Sequence, residues 1–148
     1  MDFIKNPNFD SNPKYRQAAQ TWGNLLMSLK PFELCETSLG IIESYNKKHA
    51  VAPEVKEASK TLRKAPLALE QSLVKNDKIF RKNYNRDTWM VLGMSSIGLG
   101  LGVGLGAALG SMAFIGLGLP IGMAIGLLIG KNMDQKAEKE GRVYSRNS

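Results

Sequence analysis

Glycine carries the most regular spacing in this sequence. Gly98, Gly102, Gly106 and Gly110 recur at every fourth position, and so do Gly118, Gly122, Gly126 and Gly130. The chemistry this spacing offers is contact rather than bond making. On a helix of 3.6 residues per turn, positions four apart stack along one face. Without side chains that face is a groove in which a second backbone can come close, held by dispersion and weak Cα–H···O contacts. These eight glycines are therefore expected to pack two helices of the chain against each other. A further set, Gly100, Gly104 and Ala108, is offset by two residues, about 200° around a helix. It is expected to face another copy or another membrane subunit, the rival reading being contact with lipid.

Side chains that make and break bonds are sparse. The single Cys35 excludes an internal disulfide, and one cysteine with one histidine, His49, cannot form a Cys/His zinc cluster. Cys35 is expected to be a small buried residue and His49 a solvated one near a helix end. No Ser/His/Asp or Cys/His set is spaced for a nucleophile and no acidic cluster suggests a metal. The sequence predicts no enzyme, no cofactor, no metal and no small-molecule substrate. Residues 102–107, Gly-Val-Gly-Leu-Gly-Ala, mimic part of a dinucleotide fingerprint, without the preceding strand or the acidic residue that motif needs. Gly130-Lys131-Asn132 lacks the upstream glycine and the Ser/Thr of a P-loop.

The elements that must position the glycines follow from charge. Residues 89–130 contain no Lys, Arg, Asp, Glu or His, and hold twelve of the 15 glycines. At 1.5 Å per residue, 89–110 gives about 33 Å of helix and 112–130 about 28 Å, each enough for a hydrocarbon core of about 30 Å. The uncharged residues 110–114 suit a tight turn, which glycine content could displace as far as Gly116. Period-two alternation from Ile97 to Gly106 also matches a barrel strand, but the alternate residue is glycine rather than polar, and the segments are too few to close. Pro120 is expected to kink the second span.

Basic residues flank the block on both sides: Lys75, Lys78, Arg81, Lys82 and Arg86 before it, Lys131, Lys136, Lys139, Arg142 and Arg146 after it. The positive-inside rule then keeps both termini cytoplasmic, with Lys78, Arg81, Lys82, Arg86 and Lys131 at the headgroups and Trp89 at the interface. These charges account for the pI near 9.6, and no recognition motif points to nucleic acid. The first residues lack the apolar core of a secretory signal.

Residues 1–88 predict helices punctuated by proline. Asn12-Pro13 is a cap followed by proline, after which Tyr15, Ala18, Trp22, Leu25, Leu26 and Leu29 share a face until Pro31. A second helix, about 31–48, places Phe32, Cys35, Leu39, Ile42 and Tyr45 together. A third starts at Ala52-Pro53-Glu54 and is expected to be interrupted by Pro66, with Leu69 to Tyr84 continuing a face to the bilayer. The stripes predict a small bundle core. The rival is binding to an anionic membrane surface, favoured by a net charge of +5 over residues 1–88 and by the Lys75–Arg86 cluster.

The segment Gly116-Leu117-Gly118-Leu119-Pro120-Ile121-Gly122-Met123-Ala124-Ile125-Gly126, with Asp134-Gln135-Lys136-Ala137-Glu138-Lys139-Glu140-Gly141-Arg142 after it, resembles small bacterial membrane proteins of the glycine zipper family. The resemblance covers about residues 89–143. It implies a membrane hairpin and a bacterial source, for which the expected location is the inner membrane, and it implies little about activity. A looser similarity is to the rotor ring subunit of ATP synthases, whose second span carries a carboxylate that residues 89–130 lack. Some pore-forming bacterial effectors also use glycine zippers.

Taken together, these patterns predict an all-α membrane protein: a helical cytoplasm-facing domain over 1–88, a transmembrane hairpin over 89–130, and a basic cytoplasmic tail over 131–148. Its expected partners are the lipid bilayer and either further copies or other membrane subunits. The expected function is a self-associating scaffold or complex subunit. A pore-forming or permeabilising effector is the alternative, and a regulatory adaptor a third class.

Overall fold

A computed structural model describes residues 3–111 and 113–145. Met112 and Arg146, used above as the start of the second span and as a flanking charge, lie outside the described residues. The fold is all-α apart from one pair of two-residue strands, β1 (Phe80–Arg81) and β2 (Val143–Tyr144). Its five helices fall into two units, the residues up to Arg81 together with Tyr144, and Lys82–Val143.

In the first unit α1 (Pro13–Leu29) starts where expected. The Asn12 carboxamide oxygen accepts from the backbone N–H groups of Lys14 and Tyr15, at 3.0 and 3.3 Å, and proline fills the first turn, where its missing N–H costs nothing. All six residues assigned to its apolar face are buried, with Tyr15, Trp22, Leu25 and Leu29 fully so. They pack on Ile42 from α2 (Glu36–Ala50) and on Leu62, Ala65 and Leu69 from α3 (Val55–Ser72). Burying each such leucine contributes about 1.5–3 kcal/mol, and the Trp22 indole N–H donates to Asn46 at 3.0 Å.

Three expectations for this unit are corrected. Pro66 does not interrupt α3, which runs through it with the ring buried and forgoes one backbone bond. Of the face expected for α2, Ile42 is buried and Phe32 and Tyr45 pack against the core, but Leu39 is exposed and the buried positions also include Ser38 and His49, because the helix begins at Glu36 and these polar residues meet polar partners. Nor does the face from Leu69 continue unbroken to Tyr84. A π turn, Leu73–Asp77, ends in left-handed Lys78 (φ 56°), and the Ile79 N–H returns to the Leu73 carbonyl, turning the chain with Ile79 buried.

The second unit is a hairpin of two long apolar helices, α4 (Tyr84–Leu109) and α5 (Ala113–Lys139), each long and apolar enough to cross a membrane. Both helices extend past the charge-free block: α4 begins five residues before Trp89, and α5 continues nine beyond Gly130. Gly110 adopts a left-handed conformation (φ 68°) and its N–H closes on Gly106, which ends α4. At the far end Gly141 (φ 66°) does the same for α5, with the Arg142 N–H on the Ala137 carbonyl at 2.9 Å.

Candidate helix-packing interface

In α4 and α5 the glycines meet as backbone against backbone. Gly98, Gly102, Gly106, Gly118, Gly122, Gly126 and Gly130 are all buried. A methyl group on Gly98 would lie 2.9 Å from the Gly118 carbonyl oxygen, and one on Gly118 would lie 2.6 Å from the Gly102 nitrogen. On Gly102 it would stand 2.7 Å from the Ile115 Cα, and on Gly122 2.5 Å from the Gly98 Cα. Ordinary carbon contacts lie at 3.4–4 Å. At these four glycines the space of a Cβ is therefore occupied by the opposing backbone, so a larger residue there forces the helices apart.

Gly110 has a different place from the other seven. Its φ of 68° puts it in the turn, exposed, with nothing within 4 Å of a would-be Cβ. The four-residue arithmetic carries it one turn too far, because there the helix must stop for the chain to reverse.

Gly93, which the fourfold spacing omits, belongs to the seam. It is buried, and its would-be Cβ lies 2.8 Å from the Gly126 Cα and also collides with the Gly122 carbonyl. Five residues separate Gly93 from Gly98, which in a plain α-helix rotates one away from the other. A π turn over Gly93–Gly98 absorbs the extra residue, with the Leu99 N–H bonded to the Met94 carbonyl. The Ser95 hydroxyl donates to the Val91 carbonyl at 2.8 Å. The seam then continues without glycine on α4: a Cβ on Gly126 would lie 2.8 Å from the Trp89 carbonyl carbon, and one on Gly130 2.5 Å from the Arg86 Cα.

One step further along α5, Asp134 closes the seam. Its two carboxylate oxygens accept from the backbone N–H groups of Asn85 and Arg86, at 3.0 and 2.9 Å. Asn83, the residue at the cap position of α4, is left-handed (φ 64°) and gives no side-chain cap. Asp134 supplies that cap from the neighbouring helix, with its negative charge at the positive end of the helix dipole. The position was visible as the continuation of 118, 122, 126, 130 by four, but a carboxylate does not announce itself as part of a glycine ridge.

Gly100, Gly104 and Ala108 lie outside this seam. All three are exposed, and open space surrounds the would-be Cβ of both glycines. Of the flanking cations, Lys78, Lys82 and Lys131 are exposed, and Arg81 and Arg86 half-buried. The Arg86 guanidinium holds Asp87 at 2.9 Å.

The first unit carries two polar centres, each packed around a residue discussed above. His49 is buried, contrary to its expected solvation. Its ring stacks on Tyr15, whose hydroxyl lies 2.8 Å from His49 Nε2 and accepts the Asn6 N–H at 2.9 Å. Burial holds the imidazole below its ordinary pKa and the Tyr15 phenol above its own, which favours the neutral form of both partners. Cys35 is half-buried rather than buried, at the N-terminus of α2. Asp77 does the capping there, accepting the Cys35 N–H at 2.6 Å and the Ser38 hydroxyl at 2.5 Å, and Ser38 in turn meets Ser72 at 2.8 Å. These bonds join the end of α3 to the start of α2. Among the described residues no group of three or more His, Cys, Asp or Glu side chains is placed to hold a metal.

No family model matches the chain, and neither a curated protein nor a solved structure shows a significant match.

Proposed function

We propose that this protein is a membrane-anchored scaffold or a subunit of a larger membrane complex, whose hairpin crosses a bacterial inner membrane with both termini cytoplasmic and self-associates through Gly100, Gly104 and Ala108. The observation that carries this reading is the contrast between the inside and the outside of the hairpin. Inside, backbone touches backbone. Outside, Leu99, Val103, Leu109, Leu117, Ile121 and Leu128 are between 43 and 64% exposed, an apolar sleeve that water disfavours and hydrocarbon accepts. Lipid gives apolar surfaces no reason to associate, so a second small-residue ridge with open space above it is the feature suited to another helix. The resemblance of residues 89–143 to the glycine zipper family agrees with this reading and rests on the motif alone.

The test is reconstitution. Purified chain in vesicles should resist carbonate washing and leave an entrapped dye in place, and in mild detergent it should run as an oligomer. Gly104→Leu should reduce that oligomer to the mass of one chain. Release by carbonate refutes the spanning hairpin, an unchanged mass in Gly104→Leu refutes the assigned face, and dye leakage favours a pore.

A further inference from the structure

Five cations of the first unit share one groove, and none of them belongs to the segment that flanks the hairpin in sequence. Lys56, Lys60, Arg63 and Lys64 project from one exposed stripe of α3, and Lys14 joins them from the first turn of α1. They line a groove of about 940 Å³ whose one carboxylate is Glu54. Four cations outside the groove are held by carboxylates: Lys5 and Arg16 by Asp10, Arg86 by Asp87, and Arg142 by Glu140. Among the described residues none of the five groove cations has an ion-pair partner. Lys56, Lys60 and Lys64 succeed one another at four-residue steps, where like charges on a helix repel. The fold tolerates a repulsion that a polyanion would relieve.

We propose that this groove is a docking surface for the anionic phospholipid headgroups of the membrane in which the hairpin sits, a step that rests on the spanning reading above. Two observations favour a bilayer over a nucleic acid. Leu67 continues the basic stripe at the next turn of α3 and is 63% exposed, giving the charge-beside-apolar pattern of helices that lie on membranes; no aromatic ring lines the groove for bases to stack on. Covalent connection adds to this: the first unit and α4 belong to one chain, so a bilayer that holds α4 presents its headgroups to the first unit at high effective concentration.

Lysine reactivity in the full chain tests the proposal. The protein is reconstituted in phosphatidylcholine vesicles, or in phosphatidylcholine with phosphatidylglycerol at about 2:1, and reductive methylation is followed by mass spectrometry. With the anionic lipid, labelling of Lys14, Lys56, Lys60 and Lys64 should slow by about fivefold, and high salt should restore it. Lys47 and Lys48, on α2 and outside the groove, should be unaffected. K60E/K64E, checked for helix content, should abolish the slowing at Lys14 and Lys56. Equal labelling in the two lipids overturns the proposal, as does slowing that includes Lys47 and Lys48 to the same degree. Stronger protection by single-stranded RNA added to neutral vesicles overturns it in favour of a nucleic-acid surface. Carbonate washing of the same samples separates the two readings. A chain that washes off yet is protected by added anionic vesicles sinks the hairpin and leaves the groove; a retained chain with unprotected lysines does the reverse.

Discussion

Adding one methyl group to the hairpin should have opposite effects on its two glycine faces. At Gly122 a Cβ would lie 2.5 Å from the Gly98 Cα and also against the Gly93 carbonyl, where ordinary contact is 3.4–4 Å. Both obstacles are backbone, so no side chain can swing aside, and the helices must separate by about 1 Å. A gap of that size forfeits a quarter to a half of each dispersion well along the seam, and overpacking of this kind costs about 1–3 kcal/mol. Alanine's better helix propensity returns up to about 1 kcal/mol, leaving Gly122→Ala destabilised by about 1–2 kcal/mol, a factor of 5–30 in the equilibrium. Gly104→Ala meets nothing within 4 Å and keeps only the propensity gain. The assay is SDS titration of the full chain in mild detergent, with nitroxide pairs at exposed positions Val91 and Leu128 in a Cys35→Ser background to report helix separation. A Gly122→Ala protein as resistant to SDS as the parent, with an unchanged distance, refutes the close-packed seam. So does a Gly104→Ala protein that loses as much as Gly122→Ala.

Removing the cap that Asp134 provides should expose the start of α4. Asp134→Ala is expected to cost about 1–2 kcal/mol and to speed amide exchange at Asn85 and Arg86 while leaving the turn at Gly110 unchanged; unaltered exchange refutes the cap. Deleting Ser95 shortens the Gly93-to-Gly98 step to four residues, so the π turn should become α-helix with the seam and its SDS resistance kept, whereas inserting one alanine after Val103 should break the seam; loss of resistance on deletion refutes the account of the π turn. Acid should loosen the first unit. The folded imidazole of His49 titrates below its ordinary 6.5, so between those two values the unfolded chain binds more protons; stability is complete above about pH 6.5 and falls as pH drops toward the folded value. Thermal melts from pH 7.5 to 5 should show this fall, and His49→Gln should flatten it; an identical slope in the variant refutes the assignment to His49.

What was legible in the sequence was local or periodic. The cap at Asn12, the apolar stripe from Tyr15 to Leu29 and the fourfold glycines each declare themselves within a few turns of one helix, where spacing alone determines which residues share a face. Residues whose roles depend on a partner far along the chain were not legible. Asp77 caps a helix whose cap residue lies 42 positions earlier, and Asp134 one that begins about 50 earlier. His49 is buried because Tyr15, 34 residues away, offers its hydroxyl. Pro66 looked like a break because proline usually ends a helix, yet a packed core on both sides holds α3 together through one missing bond. Gly93 was lost to the assumption of a constant period.

That lost residue bears on how the hairpin finds its register. A ridge of glycines repeating every four residues nearly matches itself when one helix slides by a turn, about 6 Å, so small side chains alone specify closeness and leave position undetermined. Three departures from regularity remove the ambiguity. The five-residue step from Gly93 to Gly98 has no counterpart on α5, whose buried glycines, Gly118 to Gly130, keep a strict four. The left-handed turn at Gly110 fixes where the chain reverses. Asp134 grips the first amides of α4 at the other end, and a slide of one turn would remove both of its bonds and leave two helix N–H groups without that cap. The glycines allow the helices to touch, and the irregular residues decide which atoms do.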